Sequence, residues 1–192
     1  MSFTSLPVGE LNIREAMLEL LTRTAPDGAV VQEEMNVGCA RVDAARIGDR
    51  IEGFEIKSDF DTLCRLPKQV VEYGQLFDSV TLVVGTVLFR EAAELVPKWW
   101  GITLATTVDG STVVLTEMRL ATQNPHQNVE ALTQLLWKDE ARLALLELAG
   151  LRGATSESAR ALRSKVAKTI PFQIANPSLS TFGPASMRVS GQ

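Results

Sequence analysis

Two opposite charges interrupt an otherwise apolar strand at Gly53-Phe54-Glu55-Ile56-Lys57. Successive side chains of a strand alternate between its faces, so Glu55 and Lys57 point to one side, roughly 7 Å apart along the strand. Phe54 and Ile56 point to the other side, where they can pack in a core. The pattern predicts a sheet that holds this strand by one face and presents a carboxylate and an ammonium group on the other.

A second carboxylate, Asp43, precedes this strand, and a hairpin around the turn signal at Gly48-Asp49 would place it across from Glu55. An aspartate and a glutamate at one sheet edge form a hard oxygen site suited to Mg²⁺ or Mn²⁺. A neighbouring lysine can hold a water molecule or stabilise developing negative charge. These residue types suit phosphodiester hydrolysis, but for the triplet alone an ordinary solvated charged face is the favoured interpretation, since such triplets occur often by chance.

The apolar patterns along the chain predict a mixed α/β protein. We expect the chain to divide into an α/β core over 1–120, a helical C-terminal lobe over 121–171 and a flexible tail over 172–192. Helices are expected over 11–22, 67–77, 129–149 and 156–169, and extended segments over 30–31, 38–47, 50–58, 80–84, 103–108 and 112–116.

The sequence EIKSDFDTLCRLPKQVVEY, residues 55–73, resembles the PD-(D/E)XK nuclease superfamily. The resemblance includes Arg41-Val42-Asp43 upstream, with Val42 where the motif usually has proline, and the segments 77–84 and 97–101 downstream. Within the superfamily the chain is most similar to a family of small bacterial and phage proteins. The resemblance implies a restriction-endonuclease-like core, which is a central mixed sheet flanked by helices, with a C-terminal helical extension.

The same resemblance implies roles for particular residues. Asp43 and Glu55 would bind the metal, and Lys57 would orient or activate the attacking water. Gln69 and Tyr73 match a Gln-x-x-x-Tyr helix motif of several such nucleases, and their i, i+4 spacing puts both on one helix face.

A glutamate from the early part of the fold often completes such a metal site, with Glu34 as the best match and Glu33 as the alternative. Arg65 is a candidate phosphate contact, although a solvated arginine is an equal alternative. The basic C-terminal helix is either a nucleic-acid contact or a solvated face, and its cations are Arg160, Arg163, Lys165 and Lys168.

Other residues have simpler interpretations. Asp61 is expected to cap the following helix, because aspartate favours helix starts. Trp99 and Trp100 are expected in the core or at a lobe interface, in preference to stacking on bases, and Cys39 and Cys64 are expected to be buried small apolar groups.

Charge and composition exclude several function classes. A net charge of −4 and a pI near 5.1 disfavour a protein that coats nucleic acid non-specifically. One histidine excludes most zinc sites. With no membrane-length apolar run and no export signal, we expect a cytoplasmic protein with reduced thiols and no membrane partner.

The sequence therefore favours a Mg²⁺- or Mn²⁺-dependent nuclease whose partner is nucleic acid, with DNA preferred. The choice of DNA or RNA, endo- or exonuclease cleavage and the biological pathway stay open. A homodimer is plausible because cutting two strands often uses two sites. The alternatives are a non-catalytic nucleic-acid- or protein-binding module on the same fold and a phage or mobile-element accessory protein.

Overall fold

The computed structural model describes residues 6–107, 109, 112–136, 138–150 and 157–169. In chain order the elements are α1 (Glu10–Arg23), β1 (Val30–Val37), β2 (Ala40–Ile47), β3 (Ile51–Lys57), α2 (Leu66–Leu76), β4 (Ser79–Gly85), α3 (Phe89–Leu95), β5 (Gly101–Thr107), β6 (Val113–Arg119), α4 (Val129–Thr133), α5 (Lys138–Ala149) and α6 (Ala159–Thr169).

The six strands form one mixed sheet in the order β1-β2-β3-β4-β5-β6. Strands β1, β2 and β3 pair antiparallel, β3, β4 and β5 pair parallel, and β6 returns antiparallel to β5. The parallel pairs need crossover connections, which α2 and α3 supply. The predicted α/β class, a central mixed sheet flanked by helices with a C-terminal helical extension, is confirmed.

Apolar clusters on both faces bury the sheet. On one face, Ile13, Met17 and Leu21 of α1 pack with Ile56 and Val83. On the other, the larger cluster joins strand residues to α2 and to the C-terminal helices, since Leu132 and Leu162 belong to it together with Trp100. The predicted boundary near residue 120 is therefore crossed by a shared core, while the predicted tail over 172–192 lies outside the described residues.

The long helix expected over 129–149 is divided, which corrects that prediction. Helix α4 ends at Thr133, and α5 begins at Lys138. The backbone oxygen of Leu136, which a continuous helix would bond to residue 140, accepts from Arg163 Nε of α6 at 2.7 Å. Leu136 is fully buried in the shared core, so tertiary packing overrides the helical periodicity of the segment.

Helix α3 had no counterpart in the sequence analysis. It has only seven residues, Phe89–Leu95, and so offers barely two turns of periodic signal.

Strands β1 and β2 carry a local irregularity where they pass Asp43. Val42 packs in the larger core, on one face of the sheet, and Ala44 packs under α1 on the other face. In a regular strand, residues two positions apart lie on the same face. Opposite them in the register, Glu34 has a φ of 51°, in the left-handed region that non-glycine residues rarely adopt. The irregularity reorients both strands locally and re-aims Asp43.

Asn124 fastens the C-terminal half of the chain to the end of α2. Its buried side-chain amide donates to the backbone oxygens of Gly74 (2.8 Å) and Phe77 (2.7 Å), and its own backbone amide donates to Asp78 O (2.8 Å). The last carbonyls of a helix have no intrahelical partner, so these bonds terminate α2.

We expect Asn124→Ala to lower the free energy of unfolding by about 3 kcal/mol, because it leaves two buried carbonyls without their donor. Guanidinium denaturation measures the change. The neighbouring Gln123→Ala is the matched control, since Gln123 is exposed and makes one weaker bond to Asp78 at 3.3 Å. Equal midpoints for the two variants would contradict this account of Asn124.

Candidate active site

A cleft of about 710 Å³ opens between α1, the β1–β2 hairpin, the end of β3 and the start of α2. The structure brings together here most of the residues that the sequence singled out. The predicted site residues lining it are Glu34, Asp43, Glu55, Lys57, Arg65 and Gln69, and Tyr73 lies directly behind Glu55.

Glu55 and Lys57 form a buried ion pair and not a solvated charged face. Their side chains are 3% and 4% exposed, and Lys57 Nζ donates to the Glu55 carboxylate and to Ile56 O (3.1 Å). Two charges taken out of water must be compensated by each other and by further hydrogen bonds. The alternative of an ordinary solvated face is therefore wrong for this pair.

Helix α2 supplies the further hydrogen bonds. Gln69 Nε2 donates to Glu55 Oε1 at 2.6 Å, and the Tyr73 hydroxyl lies 2.7 Å from both Glu55 Oε2 and Arg41 O. The predicted i, i+4 pair thus meets one carboxylate from one helix face. Among the described residues, the buried Gln69 Oε1 has no hydrogen-bond partner, so a free acceptor remains beside Glu55.

The environment shifts the pKa of both groups that meet here. Burial raises the pKa of the Glu55 carboxyl, Lys57 opposes this shift and the nearby Asp43 charge adds to it. Burial and the neighbouring Glu55 raise the pKa of Tyr73, so its hydroxyl keeps its proton. A cation placed against Glu55 would favour its ionised form.

Asp43 sits where β2 and β3 separate. The ladder between the two strands ends at the pair Ala44–Phe54, and beyond it Asp43 Oδ2 accepts from Ile56 N at 2.7 Å. The side chain of Asp43 thereby replaces a backbone acceptor and is fixed next to Glu55. Asp43 Oδ1 accepts from Arg14 Nη2 of α1 at 2.8 Å.

The two candidates for a third acidic residue differ in placement. Glu34 lines the cleft but is half-exposed and pairs with Arg41 at 3.0 Å, whereas Glu33 is exposed and does not line it. Glu10 of α1 also lines the cleft. Within the described part of the chain, no three Asp, Glu, His or Cys side chains are grouped to hold a metal ion.

Sequence reasoning missed the contribution of α1 to the site. Glu10 and Arg14 are i, i+4 neighbours joined by a 2.7 Å ion pair, which resembles an ordinary surface pair in the sequence. Only the packing of α1 across the sheet brings them to Asp43. Lys68, one turn into α2, also lines the cleft and was not singled out.

The basic residues of α6 are not brought to this cleft. Arg163 is engaged with Leu136 O, and Lys165 pairs with Glu157. Arg160 and Lys168 are exposed, and none of the four lines the cleft. A nucleic-acid contact through α6 stays a prediction.

Two expectations about the neighbouring residues are wrong. Asp61 caps no helix, because α2 begins at Leu66 and Asp61 Oδ2 instead accepts from the backbone amide and hydroxyl of Ser58. Cys39 and Cys64 are both free and exposed. Each belongs to a short connection outside the strands and helices, where small residue size does not imply burial.

The expectation for the tryptophans is confirmed. Trp99 and Trp100 are buried in the core. The Trp100 ring stacks on Tyr73 with centroids 6.1 Å apart. The rear of the site is therefore a packed aromatic wall.

The fold and the cleft define an α/β protein whose mixed sheet presents a buried glutamate–lysine pair and a neighbouring aspartate at a strand end. The chain belongs to the bacteriophage P4 protein cII family, whose model matches residues 6–182. This agrees with the expected likeness to phage proteins. No curated protein matches the sequence.

Among solved structures, Pyrococcus furiosus SfsA in complex with Ca²⁺ is similar at 13% identity, over 62% of this chain and 68% of that one, with a TM-score of 0.37. A likeness this distant carries no argument about the site. None of the described helices has the length and apolar character needed to cross a membrane.

Proposed function

We propose that the protein is a Mg²⁺- or Mn²⁺-dependent nuclease that hydrolyses phosphodiester bonds of nucleic acid, with DNA as the preferred substrate class. The observation that carries the proposal is the buried Glu55–Lys57 pair, held by Gln69 and Tyr73 beside Asp43 in an open cleft. A purely structural ion pair has no need of an open cleft or of an adjacent second carboxylate.

The donor set suits a hard divalent cation. Magnesium is commonly held by one or two carboxylates, with water and substrate phosphate completing its shell. Asp43 and Glu55 would supply the carboxylates, and Ile56 O, already engaged by Lys57 Nζ, is a third oxygen of the same cleft. The cation would supply charge stabilisation at the phosphate and a more acidic bound water.

The chain's own residues would perform the remaining steps. Lys57 can donate to the attacking water or to a phosphate oxygen as negative charge develops, since it is the buried cation of the site. Gln69 Oε1 offers an acceptor that can orient that water. Tyr73, which keeps its proton, holds the Glu55 carboxylate in position throughout.

A second candidate function is a non-catalytic nucleic-acid-binding module on the same fold. It is favoured by one observation, which is that protein donors already engage both acids: Arg14 and Ile56 N engage Asp43, and Lys57, Gln69 and Tyr73 engage Glu55. Such a module would bind nucleic acid without needing a divalent ion.

Calorimetric titration of Mn²⁺ separates the two functions. We expect the wild-type protein to bind the ion and to gain about 2.7 kcal/mol of stability when the ion is at a hundred times its Kd, because a ligand of the folded state raises the melting temperature. Glu55→Gln should lose both effects while keeping the size and shape of the side chain.

Glu52→Gln is the matched control. Glu52 lies on the same strand and pairs with Arg46 at 2.6 Å outside the cleft. Its loss should leave Mn²⁺ binding unchanged. The contradicting outcome is a wild-type protein that binds nucleic acid but binds no Mn²⁺, whether nucleic acid is present or absent. That result would favour the binding module and contradict the proposed nuclease.

A further inference from the structure

Arg14 of α1 is the cation closest to Asp43 at the wall of the cleft. Its Nη2 donates to Asp43 Oδ1 at 2.8 Å and to Glu10 Oε1 at 2.7 Å, and its Nη1 lies 3.4 Å from Asp43 O. The side chain is 15% exposed, so the guanidinium is largely withdrawn from solvent but still faces the cleft.

This arrangement gives Arg14 two opposing effects on the proposed reaction. As the counter-charge of Asp43 it repels any second cation that approaches the same carboxylate. As a planar fork of donors it is the side chain best shaped to bind a phosphate with paired hydrogen bonds.

We infer that Arg14 is a phosphate-binding residue that Asp43 and Glu10 hold in place until nucleic acid arrives. When a phosphodiester accepts the hydrogen bonds of the guanidinium, Asp43 loses its counter-charge. The Asp43 carboxylate then becomes a better ligand for a divalent ion. Arg14 would thus couple the binding of nucleic acid to the binding of the metal, and such coupling is reciprocal. The inference rests on the proposed function.

A merely structural role for the Arg14–Asp43 contact predicts something different. Loss of a structural contact would loosen α1 and would weaken the binding of both Mn²⁺ and DNA to the cleft. The exchange role predicts effects of opposite sign, because removing Arg14 removes both the repulsion felt by the metal and the donor offered to the phosphate.

The test measures each ligand without the other in Arg14→Gln. Mn²⁺ affinity is measured by calorimetry in the absence of nucleic acid, and binding of a labelled DNA hairpin with a single-stranded tail is measured by fluorescence anisotropy in EDTA, where no cleavage occurs. We expect Mn²⁺ to bind about tenfold more tightly and the DNA about tenfold more weakly than to wild type.

Arg23→Gln is the matched control. It removes the same charge from the same helix, but Arg23 is exposed in the last turn of α1 and does not line the cleft. Its Mn²⁺ affinity should stay within about twofold of wild type. Arg14→Lys keeps the positive charge but loses the planar guanidinium, so it should bind Mn²⁺ as wild type does and bind DNA more weakly. If Arg14→Gln does not fold, this variant is used for the test.

The outcomes are distinguishable. Weaker binding of both ligands by Arg14→Gln, or no change in either, overturns the exchange role while leaving the proposed nuclease intact. A wild-type protein that binds no Mn²⁺ even with DNA present defeats the proposed function itself. Opposite shifts in Arg14→Gln, absent from Arg23→Gln, support the inference.

Discussion

Lys57→Met is expected to slow phosphodiester hydrolysis by about a thousandfold, since a preorganised donor at developing charge contributes on the order of 10²–10³ in rate. Methionine keeps most of the buried side-chain volume and loses only the ammonium group. Lys57 Nζ is buried against Glu55 and Ile56 O, so its loss removes the positive charge from this position of the site.

The measurement is the single-turnover cleavage rate at saturating Mn²⁺, with Mn²⁺ binding followed in parallel by calorimetry. Asp43 and Glu55 are unchanged in this variant, so metal binding should persist while cleavage is lost. Lys98→Ala, which removes an exposed lysine that does not line the cleft, serves as the control. Cleavage by Lys57→Met at the wild-type rate would remove Lys57 from the mechanism.

Gly53→Ala should reduce the free energy of unfolding by about 3 kcal/mol, the upper range for overpacking a core. A Cβ atom at Gly53 would lie 2.8 Å from two ring carbons of Phe77, whose side chain is fully buried. Phe77 meets Tyr73 edge-on, with centroids 5.6 Å apart. The displaced ring therefore pushes against the residue that holds Glu55, and we expect the variant to lose Mn²⁺ affinity as well as stability.

Gly74→Ala is the contrasting substitution. Gly74 lies within α2, and a Cβ there would meet only Trp99 at 3.9 Å, an ordinary contact. Alanine is the better helix former, so this variant should gain up to about 1 kcal/mol. Denaturation curves of the two variants test the steric argument, and a similar loss in both would contradict it.

The sequence was sufficient to predict the class of fold and the proximity of the residues at the centre of the candidate site. The alternation at 53–57 and the turn at Gly48-Asp49 define the β2–β3 hairpin, which places Asp43 next to Glu55. The spacing of Gln69 and Tyr73 required only that the segment after Pro67 be helical. These are local patterns whose geometry follows from the period of one element.

What the sequence could not supply depends on contacts between distant elements. Arg14 reaches Asp43 because α1 packs across the sheet, and nothing near residue 14 indicates this. The break between α4 and α5 exists because α6 packs into it. The exposure of Cys39 and Cys64 likewise depends on which connections the core leaves uncovered.

The double engagement of Tyr73 bears on how this protein could change over evolutionary time. Its hydroxyl bridges β2 and β3 through Arg41 O and Glu55, and its ring stacks on Trp100 and meets Phe77 edge-on. Selection for folding alone would preserve this tyrosine after any loss of activity, and it would act on Lys57 as well, because losing Lys57 leaves Glu55 as an uncompensated buried charge. In descendants of this chain, the presence of the tyrosine would therefore not by itself mark a working site.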